Sequence, residues 1–160
     1  YLRVIERKTA ILFAAATRLA ALLSGTNAAT QDRLHDYGLN LGYAFQIADD
    51  VLDYASDAAT LGKNLGDDLA EGKMTLPLIH AMQHADHATR ERLRAIVETG
   101  DIDALPEAIA AIDAHDSLGY SRNRALEFAA RAEAALQDLP DNEATAALHG
   151  LAHYAVNREK

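Results

Sequence analysis

The sequence predicts an all-α protein, an antiparallel helix bundle, and three observations carry that prediction. Proline and glycine are scarce, at 3 and 9 of 160 residues. Alanine and leucine dominate and β-branched runs are nearly absent, so helix propensity is high almost everywhere. Apolar residues in the stretch around Leu41 to Ala55 recur at three- and four-residue intervals, the period of a helix with one buried face.

A first helix is expected from Tyr1 to about Ser24, stopped by Gly25, and a second from about Ala28 to Ser56. A polar, glycine-containing loop should follow from Asp57 to Lys73. Thr75 is placed to cap a third helix that tolerates Pro77 in its first turn and runs to about His84. Shorter helices are expected over Ala88 to Glu98, Ile102 to Ala114, Leu118 to Leu139 and Glu143 to Asn157. The breaks between them are Gly100-Asp101, His115-Asp116-Ser117 and Pro140-Asp141-Asn142, which carry turn and cap chemistry. No repeat, low-complexity tract or linker interrupts the series, so residues 1–160 read as a single helical domain.

Composition narrows the function. Hydrophobic residues make up 49%, ordinary for a globular chain. The net charge of -9 argues against nucleic acid as the main partner, because phosphate backbones select basic surfaces. It leaves a phosphorylated small molecule open, since bound metal ions invert the local sign. With no cysteine, disulfides, thiolate catalysis and cysteine-ligated metals are excluded, and a cytoplasmic location is the expectation. The most apolar run, Ala10 to Leu23, is interrupted by Thr17 and Arg18 and is shorter than the ~20 residues that span a bilayer. It reads as a buried bundle helix, with no transmembrane segment and no signal peptide. The chain opens on Tyr1-Leu2-Arg3-Val4-Ile5-Glu6, which reads as the inside of a helix, so a fragment is expected.

The chemistry concentrates in one stretch. On a helix, Leu41, Ala44, Phe45, Ala48, Leu52 and Ala55 form an apolar stripe, and Gln46, Asp49, Asp50 and Asp53 form a second one. Asp49 and Asp53 stand four residues apart, so their carboxylates project from one face about one turn apart. Like charges at that spacing destabilise a bare helix, and a cation between them turns the cost into a ligand set. Hard oxygen ligands suit Mg²⁺, which keeps waters and shares its sphere with substrate phosphates. A solvated acidic helix face is the plain alternative. The loop that follows weighs against it: between Asp49 and Lys73 stand seven acids and two lysines, Lys63 and Lys73, beside glycines. Lysines near paired carboxylates fit a metal and diphosphate cradle. Ordinary solvation remains the alternative for the lysines, and turn or cap formation for Asp67 and Asp68.

Phe45-Gln46-x-x-Asp49-Asp50-x-x-Asp53 is followed by Gly62-Lys63-x-x-Gly66-Asp67-Asp68-x-x-Glu71-Gly72-Lys73-x-Thr75-Leu76-Pro77, with Lys8-Thr9-Ala10 upstream. In that order these motifs resemble the second Asp-rich region of the trans-prenyl diphosphate synthases, in the style of the long-chain octaprenyl and decaprenyl enzymes. Leu151 to Lys160 also resembles the family's closing helix and basic tail, so the resemblance covers essentially the whole chain. A lone DDxxD is a weak signal, whereas the ordered set is strong.

The resemblance implies the C-terminal half of the isoprenoid synthase type of helix bundle, and a Mg²⁺-dependent prenyltransferase. The reaction would be head-to-tail condensation of isopentenyl diphosphate with an allylic prenyl diphosphate. It further implies Asp49, Asp50 and Asp53 as metal residues. Lys8, Lys63 and Lys73 would bind diphosphate, while the oxygens of Thr9 and Gln46 would face the allylic cation. The released pyrophosphate can take the proton, so no protein base is needed. The seven histidines form no metal-ligand spacing and read as surface residues. The family carries a first Asp-rich motif, and nothing before Lys8-Thr9 supplies it. The chain alone is therefore expected to be inactive, and to pair as a homodimer or with a missing half through the Ala10 to Leu23 helix and the Phe45 stripe. A non-catalytic subunit of a heteromeric synthase is the principal alternative. A terpene synthase is a weaker one, because the motif is a full DDxxD, and an unrelated helical bundle would make the motif order a coincidence.

Overall fold

The computed structural model describes residues 1–55 and 66–158, and among them every regular element is helical. In chain order these are α1 (Leu2–Ile5), a π-helical turn (Glu6–Ala10), α2 (Ile11–Leu23), α3 (Ala28–Ala55) and α4 (Asp67–Ala70). After them come α5 (Leu76–His84), α6 (His87–Thr99), a 3₁₀ turn (Ile102–Ala104), α7 (Leu105–Ala114), α8 (Ser117–Ala135) and α9 (Glu143–Asn157). The chain forms two compact units, one of Tyr1 with Asp49–Arg122 and one of Leu2–Ala48 with Asn123–Glu159.

In the unit containing Leu2–Ala48, small residues set the packing. A Cβ on Gly42 would fall 2.5 Å from the Ala10 Cα, and one on Gly38 would fall 2.5 Å from the Phe13 carbonyl oxygen. At such a close approach the fully buried residues are small: Ala10 at the end of the π turn and Ala14 and Ala21 of α2, with Phe13 and Thr17 half-buried beside them. The leucines are displaced to the outside: Leu12, Leu19, Leu22 and Leu23 are exposed. Within this chain the helix expected to be buried over Ala10 to Leu23 buries only its alanine side. Thr17 seals the crossing, donating to the Leu34 carbonyl at 2.5 Å. Tyr37, Leu41, Leu136 and Ala152 form the core between α3, the end of α8 and α9, and the Tyr37 hydroxyl donates to the Leu148 carbonyl at 2.8 Å. The Phe45 stripe is covered too. Phe45 packs on Phe13 with centroids 5.6 Å apart, and the Arg158 guanidinium lies 4.1 Å from its ring centroid.

The other unit is built on Leu69, Leu78, Leu93, Ile96 and Ile112 from α4 to α7. Asp86 caps α6, its carboxylate accepting from the Thr89 amide at 2.8 Å. Gly100 ends α6 with φ +62, where a Cβ would lie 2.6 Å from the Ala70 carbonyl oxygen. Two boundaries and one cap differ from expectation. A short helix, α4, occupies part of the expected loop. Thr75 is the N-cap of α5, yet its hydroxyl makes no capping bond and donates instead to the Tyr54 hydroxyl at 3.4 Å. The helix expected to reach Leu139 ends at Ala135 and tightens into i, i+3 bonds at Leu136 and Leu139.

Candidate functional site

The acidic end of α3 takes its geometry from what packs beneath it. Val51 and Tyr54 are buried, and the helical period then leaves Asp49 exposed, Asp50 buried at 4% exposure and Asp53 half-buried. Asp50 Oδ2 accepts from the Tyr1 hydroxyl at 2.5 Å. Asp53 is bound to the start of α4 twice. Its carbonyl accepts from the Gly66 amide at 3.2 Å, and its Oδ2 accepts from the Asp68 amide at 3.2 Å. Gly66 makes that turn with φ +80, at a place where a Cβ would meet Leu105 at 2.8 Å.

This docking brings three acids together. The Asp53 carboxyl is pushed up to about 6, first by burial and then by the Asp68 charge, with Asp67 adding to it. The backbone donors at Asp67 and Asp68 pull the other way and do not prevail. Neither Asp67 nor Asp68 caps a helix by its side chain: both stand in the first turn of α4 after Gly66. Asp68 instead pairs with Lys73, whose ammonium lies 2.9 Å from Asp68 Oδ1 and 2.7 Å from Glu71 Oε2. Those hydrogen bonds, Glu71's first, hold the Lys73 ammonium charged well above its ordinary range. Lys63 lies outside the described residues.

Among the described residues no group of three acidic or histidine side chains is arranged to hold a metal ion by itself. Mg²⁺ does not need such a cage, since it binds through one or two carboxylates and completes its sphere with water and phosphate oxygens. Asp49, Asp50 and Asp53 carry carboxylate oxygens, the donor type that such an ion takes.

The other unit carries Lys8, Thr9 and Gln46. The π turn at Glu6–Ala10 is pinned to one face of α3 at three points. The Tyr43 hydroxyl donates to Glu6 Oε2 at 2.7 Å, Ala10 sits against Gly42, and Thr9 Oγ1 donates to Gln46 Oε1 at 2.8 Å. Single π turns inside α-helices are common at functional sites. Lys8 is exposed and shares an open surface with Arg3, Val4 and Arg7. Arg3 and Arg7 were not singled out from sequence, although a spacing of 3, 7 and 8 on one helix places three cations within about two turns. Tyr1 was missed as well. Nothing local marks a tyrosine as the donor to a carboxylate 49 residues away.

A family model described as polyprenyl synthetase matches residues 1–112. The octaprenyl diphosphate synthase of Haemophilus influenzae is 48% identical over 159 residues, covering 99% of this chain and 48% of that protein. A crystal structure of a decaprenyl diphosphate synthase from Rhodobacter capsulatus superposes with a TM-score of 0.91 at 42% identity, over 100% of this chain and 50% of the other. A polyprenyl synthase from Caulobacter crescentus, crystallised with calcium and isoprenyl diphosphate, gives 0.91 at 43% identity, over 100% and 49% of the two chains. The chain spans about half the length of the curated relatives it matches.

Proposed function

Because the chain belongs to the polyprenyl synthetase family, we propose that it supplies the second Asp-rich metal and diphosphate site of a trans-polyprenyl diphosphate synthase. The reaction is head-to-tail condensation. The allylic C–O bond to diphosphate breaks, the isopentenyl diphosphate double bond attacks the allylic carbon, and the proton released passes to pyrophosphate. The observation that carries the reading is the place of Asp53, half-buried on a DDxxD helix, its carboxylate held by the Asp68 amide and its carbonyl by the Gly66 amide, beside the Asp67 and Asp68 acids. Such a site gains stability from a cation.

Asp49, Asp50 and Asp53 would hold Mg²⁺, which supplies neutralisation of the departing diphosphate when bound. Lys8, Lys63 and Lys73 bind diphosphate oxygens. Lys73 exchanges Glu71 and Asp68 for phosphate, and its half-exposed position allows that exchange. Thr9 and Gln46 present oxygens to the developing allylic cation without offering a strong nucleophile to trap it. Their mutual hydrogen bond fixes the amide so that Oε1 keeps its orientation during reaction. Assembly as a homodimer is carried over from the resemblance.

The test uses the longest reading frame that contains this chain, assayed with farnesyl diphosphate, isopentenyl diphosphate and Mg²⁺. Asp49→Ala and Asp53→Ala are each expected to lower turnover on the order of 10²-fold or more, the scale of a lost electrostatic stabiliser. The 160-residue chain alone is expected to show no turnover. Parental rates in both variants would overturn the reading.

A further inference from the structure

We propose that Tyr1 is a positioning residue for the Asp-rich end of α3, holding the Asp50 carboxylate with a donor that adds no positive charge. This rests on the metal-site reading above. The contact is short, 2.5 Å from the Tyr1 hydroxyl to Asp50 Oδ2, the length of a charge-assisted O–H···O⁻ bond. Asp50 is only 4% exposed, so its carboxylate is largely cut off from water and depends on protein donors.

The kind of donor matters. Asp49 and Asp53 share the helix with Asp50, and Asp68 is close enough to act on the Tyr1 phenol. A lysine or arginine at this point would satisfy Asp50 but would cancel the negative charge that draws in a divalent cation. A phenol satisfies the same oxygen and itself adds no charge. It also fixes one of the two Asp50 oxygens, so the carboxylate cannot rotate freely. Carboxylate metal ligands are commonly held by such outer partners.

Tyr1→Phe removes one oxygen and keeps the ring. In the longest reading frame containing the chain, Mn²⁺ binding in the presence of inorganic pyrophosphate is measured by electron paramagnetic resonance, with melting temperature recorded alongside. Tyr1→Phe is expected to weaken Mn²⁺ binding about tenfold or more, the scale of a lost outer-shell partner, with melting temperature retained. In an Asp50→Asn background the same change is expected to have far less effect. Parental Mn²⁺ affinity in Tyr1→Phe, or an equal loss with and without Asp50, would overturn the proposal. If Asp49→Ala also binds Mn²⁺ as the parent does, the metal-site reading itself fails.

Discussion

A carboxyl raised to about 6 makes a folded protein respond to pH in the direction opposite to that of most paired acids. Asp53 has a higher affinity for its proton in the folded chain than at its ordinary 3.8, through burial first and the Asp68 charge second. Between about pH 4 and pH 6 this one site therefore holds more proton in the folded state than in the unfolded one, and its contribution to the stability of the metal-free chain falls as pH rises. Asp53→Asn stays neutral and keeps an oxygen for the Asp68 amide, so it escapes that loss. The melting temperature of the variant relative to the parent should rise from pH 4 to pH 7 without metal. A constant gap would show that Asp53 titrates normally. The acidic stripe itself was legible, because a DDxxD spacing fixes which residues share a helix face. Its gradation from exposed Asp49 to buried Asp50 was not, since that depends on Tyr1 and α4, which reach α3 from distant sequence.

Elements were legible wherever their ends were marked by local chemistry. The stops at Gly25 and Gly100 and the start of α9 after Asn142 fell where turn and cap residues placed them. The π turn did not, because no residue type encodes it. It is imposed from outside, by the fit of Glu6, Thr9 and Ala10 to Tyr43, Gln46 and Gly42. The glycine contacts make this fit testable. Gly42→Ala forces a methyl to within 2.5 Å of the Ala10 backbone, and should cost about 1–3 kcal/mol of unfolding free energy in urea titration. Gly150 lies inside α9 with nothing within 4 Å of its would-be Cβ. Gly150→Ala should therefore stabilise by about 0.5–1 kcal/mol, the ordinary helix-propensity gain. Equal effects at the two sites would refute the close approach of the π turn to α3.

At the scale of the whole molecule, exposed apolar surface is concentrated on the first helical run. Sequence reasoning anticipated two uncovered faces, and one of them is covered. Phe45 is shielded by Phe13 and Arg158, a pairing hidden from sequence by the 113 residues that separate Phe45 from what read as a basic tail. The other face is open. Leu12, Leu19 and Leu23 recur at seven and four residues and so share one side of α2, with Ile11 and Leu22 in the adjacent row. Leu12 is 66% exposed and Leu23 86%. A contiguous apolar patch beyond a few hundred Å² is rare on a monomer and seeks a partner. Burying a leucine contributes about 1.5–3 kcal/mol, and several side chains from each copy would offset much of the cost of association. The 160-residue chain should thus sediment at equilibrium above its monomer mass of 17.2 kDa at micromolar concentration. The double variant Leu12→Glu/Leu19→Glu should shift it toward monomer while far-ultraviolet circular dichroism retains the helical signal. A parent chain that stays at 17.2 kDa across the concentration range would show that this face does not drive association.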